Sequence, residues 1–161
     1  MRRRHKPTPV YTYSLLDQML ASPTMPTPLD KRTHQLSKMW EGLASIEQAA
    51  VPTTHDWRVC SDAVNLMESL VEMQVVVDSS GLLIDAISAL AMAGRRSRSG
   101  NAIRLDGAGI QAVRAVLEDY AAVLEAVPHR TMLQAYRRTE RRIHQILTGA
   151  LRPHEIEVID L

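Results

Sequence analysis

WRVCSDAVNLMESLVEMQVV, residues 57–76, is the stretch whose reading decides the fold. Its apolar side chains are Trp57, Cys60, Ala63, Val64, Leu66, Met67, Leu70 and Val71, recurring at intervals of three and four. At 100° per residue these positions cover an arc wider than a single stripe. Such an arc predicts a central helix that touches several neighbours, with Trp57 buried among them. Thr53 or Thr54 caps its start, and Asp56 supplies the carboxylate of a box-like N-terminus. Cys60 lies on the apolar arc and is expected to be an inert core thiol.

Working outward, a helix is predicted from about Leu29 to Val51-Pro52, because Leu36, Trp40, Leu43 and Ile46 form one apolar stripe. After the central helix, Asp78, Ser79 or Ser80 caps GLLIDAISALAMAG (81–94), which is apolar almost all round and is expected to be the most buried helix. RRSRSGNAIRLDG (95–107) reads as a loop. Asp106 then caps a helix with Ile110, Val113, Leu117, Tyr120 and Leu124 in register. Val127-Pro128 ends that helix and opens a last one, whose stripe is Met132, Tyr136, Ile143 and Leu147 and which stops at Gly149 and Pro153.

Upstream of Leu29 the pattern changes. Five of the eight prolines fall at positions 7, 9, 23, 26 and 28, which marks residues 1–28 as an arm outside the bundle. Within the arm, YTYSLLDQMLAS (11–22) predicts one short helix, with Tyr11, Tyr13, Leu16 and Met19 expected to anchor it on the bundle. The resulting architecture is all-α, a single-domain helical bundle of about five helices. It has a basic, Pro-rich N-terminal arm (1–28), a helical domain (29–152) and a C-terminal tail (153–161).

Composition agrees. A chain of 161 residues with 45% apolar content is long enough for one real core. Phenylalanine is absent, so Leu, Val, Ile, Met and Ala must build that core around Trp40 and Trp57. The single cysteine rules out an intramolecular disulfide and fits a reducing compartment. No apolar stretch approaches the ~20 residues of a membrane span, and no signal-peptide core follows the basic start. A cytoplasmic protein with no membrane contact is expected.

The net charge of +1 conceals three basic stretches. Residues 1–6 carry Arg2, Arg3, Arg4 and Lys6. Residues 95–104 carry Arg95, Arg96, Arg98 and Arg104 with no acid. Residues 130–152 carry six arginines against Glu140 alone, and the rest of the chain is correspondingly acidic. On the last helix Arg137, Arg138, Arg141 and Arg142 fall on the face opposite Tyr136 and Ile143. Arginines outnumber lysines sixteen to three, and arginine is the better residue for forked recognition of phosphate or carboxylate. These twelve cations are the candidate nucleic-acid or partner-binding residues.

No catalytic pattern competes with them. No two of the six histidines share the i, i+4 spacing of a helical zinc site. The Walker, H-E-x-x-H and G-x-S-x-G patterns are absent. Glu68 and Glu72 share a helix side with Asn65, and the expected role for them is to pair with arginines of another segment. No metal and no cofactor is expected.

The opening RRRHKPTPV, the segment THDWRVCSDAVNLMESL, the segment GNAIRLDGAGIQAVRAVLEDYAAVL and the closing RTMLQAYRRTERRI together resemble a set of small helical proteins of proteobacterial genomes, prophages and plasmids. Those share an R-[RK]-[RK]-H-K-P start, a W…N…E helix and an R…G…L…G-I segment, matched here by Trp57, Asn65, Glu68, Arg98, Gly100, Leu105 and Ile110. The resemblance implies a phage- or mobile-element-associated bacterial origin and carries no mechanism. The functional expectation is a non-enzymatic binding or regulatory protein, possible as a homodimer, that engages nucleic acid through its arginines. The alternative is an adaptor or inhibitor that binds a host protein complex. Arginine clusters gathered on one face would favour a polyanion; dispersed clusters with an apolar patch elsewhere would favour a protein.

Overall fold

A computed structural model describes residues 10–150. Arg2, Arg3, Arg4, Lys6 and the tail from 153 lie outside the described residues. Within them the chain forms six helices and no strand, one isolated bridge between Pro26 and Pro128 apart: α1 (Leu15–Leu20), α2 (Leu29–Gln48), α3 (Thr54–Glu72), α4 (Leu83–Arg98), α5 (Gly107–Ala126) and α6 (His129–Leu147). No helix among the described residues is long and apolar enough to cross a membrane.

Local chemistry sets the starts. Thr53 caps α3: the Asp56 amide donates to Thr53 Oγ1 while the Thr53 amide donates to Asp56 Oδ2 at 2.7 Å, a reciprocal box. Ser45 Oγ also donates to that carboxylate, tying the end of α2 to the start of α3, and these bonds hold the Asp56 acid below its usual range against the opposing effect of burial. Asp106 caps α5 by accepting from the Gly109 amide at 2.6 Å. Asp78 reaches the amides of Gly81 and Leu83 at the entry to α4. Pro28 and Pro128 stand immediately before α2 and α6, where a missing N–H costs nothing.

The core sits around α3, which packs against α2, α4, α5 and α6. The predicted arc is buried except for the half-buried Val71, Trp57 is 8% exposed, and its indole N–H donates to the Leu90 carbonyl of α4 at 2.9 Å. Between α3 and α6, Ser69 and Thr139 share a buried hydrogen bond of 2.6 Å. Gly42 marks the closest approach of α2 to α3. A Cβ there would overlap the Val59 side chain and stand 2.9 Å from the Asp56 carbonyl.

Three expectations are corrected. α4 is not the most buried helix, since Ile84 and Met92 are exposed; the central place belongs to α3. The segment RRSR, read as the start of a loop, is the last turn of α4, which continues to Arg98 and ends where Gly100 takes a φ of +85°. Polar arginines and serines are adequate helix residues, and only the left-handed glycine stops the helix. Leu147, assigned to the α6 stripe, is exposed, at the last residue of α6.

Candidate functional site

The eight candidate arginines that lie among the described residues do not converge on one face. Arg104 turns back onto the end of α2, where its guanidinium donates to the carbonyls of Ile46 (3.0 Å), Ala49 (2.5 Å) and Ala50 (3.0 Å). These are orphan acceptors at the negative end of a helix. Arg96 in turn donates to the Arg104 carbonyl at 2.7 Å, which places the end of α4 beside the α2–α3 turn. Arg95, Arg96 and Arg98 occupy the exposed last turn of α4 there.

The arginines of α6 meet the opposite end of α3. Arg142 pairs with Glu68 at 2.8 Å and Glu72 at 3.2 Å, and Arg138 pairs with Glu72 at 3.1 Å. The two glutamates therefore serve as expected. The 19 residues of α3 span about 28 Å, so the α4 and α6 clusters stand at opposite ends of the bundle. Arg137 is held inward: it lies 4.3 Å above the Tyr11 ring and donates to the Tyr13 carbonyl at 2.8 Å. Arg138 and Arg141 are the exposed members of the four.

Residues 10–28 form a strap along α6. Glu140 accepts from the Thr12 amide at 3.0 and 3.1 Å and from the Thr12 hydroxyl. Arg130 donates to the carbonyls of Ala21 (3.1 Å) and Met19 (2.8 Å), and backbone bonds join Met25 and Ser22 to His129 and Arg130. Thr27 and His129 Nδ1 are 3.1 Å apart, and burial together with the charge of Lys31 lowers the His129 pKa. Tyr11 and Tyr13 anchor the strap as expected, but Leu16 and Met19 do not. α1 buries no residue, and both side chains are 63% exposed. Polar contacts from α6 position the backbone instead, which leaves the apolar face of α1 outward.

That face is the largest surprise. Leu15, Leu16, Met19, Leu20, Met25 and Leu29 are each more than half exposed. Beside it runs a groove of about 570 Å³ whose lining includes Leu20, Met25, Pro28 and Leu133, with Asp17 and Lys31.

Three tyrosines meet where the strap joins the bundle. Tyr13 meets Tyr136 edge to face with centroids 5.3 Å apart, Tyr136 bonds to Tyr120, and Gln35 Nε2 donates to the Tyr136 oxygen at 2.8 Å. Burial drives the Tyr136 phenol up to about 12 and raises Tyr120 and Tyr13 as well. Unfolded phenols ionise near pH 10. From about pH 10 to about pH 12 the unfolded chain thus binds fewer protons than the folded one, and stability falls as pH rises. Urea midpoints at about pH 9 and about pH 11 are expected to show that fall, and Tyr136→Phe is expected to make it shallower. A stability unchanged over that interval would contradict the buried phenol cluster.

Cys60 is fully buried, and desolvation pushes its thiol up to about 12, as suits a core residue. Among the described residues no three His, Cys, Asp or Glu side chains come together as a metal site requires. No protein-family model matches the chain, and neither the curated proteins nor the solved structures contain a match to it.

Proposed function

We propose that the protein is a non-catalytic adaptor or inhibitor that docks on a protein complex, with the arginine turn at the end of α4 meeting an acidic surface of that partner. The dispersal of the arginines carries this reading. An extended polyanion is bound by cations aligned along one track. Here the α4 and α6 clusters are separated by the length of α3, while Arg104, Arg137 and Arg142 are engaged within the chain. A compact acidic patch on a protein needs only one cluster, and Arg95, Arg96 and Arg98 place three exposed cationic side chains on the last turn of α4. In the mobile-element setting that the sequence resemblance implies, the partner is a host complex, for example one that handles nucleic acid or serves in defence.

Titration of a fluorescent duplex of about 20 base pairs, and of a single-stranded RNA of the same length, tests the reading at physiological salt. Only generic binding at about 10⁻⁴–10⁻⁶ M is expected, unmoved when Arg138→Glu and Arg141→Glu remove the exposed charges of α6. Tight binding that collapses in that variant would overturn the proposal in favour of a nucleic-acid-binding function.

A further inference from the structure

We infer that the apolar face of α1 is an interface between two copies of this chain, related by a two-fold axis. The surface is the right size. Leu15, Leu16, Met19, Leu20, Met25 and Leu29 together expose on the order of 700 Å², close to the ~800 Å² that each partner contributes to a standard interface. The largest apolar patch of a typical monomer is about 300–600 Å².

Its shape and charge point to a copy of itself. A two-fold interface must be self-complementary, presenting both a projection and a recess on the same patch. α1 offers Leu16 and Met19 as projections, and the adjacent groove of about 570 Å³ is a recess able to take side chains of that size. The groove carries one acid, Asp17, and one base, Lys31, both exposed. Both signs occur in equal number, so a second copy finds a base for each acid, whereas a partner of one sign would be repelled by half the rim. The strap is also firmly placed before association. Arg130, Arg137 and Glu140 fix its backbone with polar bonds, so little ordering is required on dimerisation. This inference goes beyond the adaptor reading and leaves the α4 turn of both copies available to other partners.

Sedimentation equilibrium of the purified full chain tests it without any other component. A mass twice the 18.0 kDa of one chain is expected at about 100 μM protein. Leu16→Asp with Met19→Asp is expected to be monomeric at the same concentration and to keep the helical circular dichroism of the parent, because no α1 side chain is buried within the chain. Met25→Asp, outside any helix, serves as a second variant with the same expected loss should the first lose helicity. Arg95→Glu with Arg98→Glu is expected to remain dimeric. A wild-type mass of one chain at about 100 μM, or a dimer that survives the patch variants, would overturn the inference. Neither result bears on the α4 turn.

Discussion

Replacing Trp57 with alanine is expected to destabilise the protein by about 3–5 kcal/mol, the largest effect of any single truncation considered for this chain. The indole is 8% exposed and is the largest apolar body in a core without phenylalanine. Its loss removes packing between α3 and α4 and leaves a cavity that the neighbouring helices fill only in part. The Leu90 carbonyl, which accepts the indole N–H at 2.9 Å, is also left without that partner. Trp57→Phe keeps much of the volume but not the donor, and is expected to cost less, about 1–3 kcal/mol. Denaturant unfolding followed by far-ultraviolet circular dichroism reads both. A cost below about 1 kcal/mol for the alanine variant would show that α3 is not the organising helix.

The second large effect is expected at Arg104. Its guanidinium satisfies the carbonyls of Ile46, Ala49 and Ala50 where α2 ends and the chain turns into α3. Hydrogen bonds from a charged donor are worth about 1.5–3 kcal/mol, and here several converge on the negative end of a helix dipole. Arg104→Ala is expected to cost about 2–3 kcal/mol in the same unfolding assay. Arg104→Lys retains the charge without the fork and is expected to recover only part of that loss. An alanine variant as stable as the parent would return Arg104 to the pool of surface cations available for binding.

Arg104 also shows where sequence reading stops. Periodicity revealed the α3 arc, the Thr53–Asp56 box and the Asp106 cap, since each depends on residues within a few positions of one another. Nothing local distinguishes Arg104 from Arg95 or Arg98, because its acceptors lie more than fifty residues away on another helix. The same holds for Arg130 and Glu140, which seat a strap that precedes them by over a hundred residues. The α1 patch was misread for a related reason. Leu15, Leu16, Met19 and Leu20 have the composition of a buried face, and composition does not say whether the chain's own bundle covers it. The end of α4 was legible in principle: arginines in a last turn followed by glycine form a recognised helix stop.

Co-purification from the source cells tests the central claim most directly, with tagged wild-type chain, Arg95→Glu/Arg98→Glu and Arg138→Glu/Arg141→Glu compared after nuclease treatment. The account predicts a stoichiometric protein partner that survives nuclease, is retained by the α6 variant and is lost by the α4 variant. Recovery of nucleic acid alone, released by nuclease and lost with the α6 charges, would contradict it.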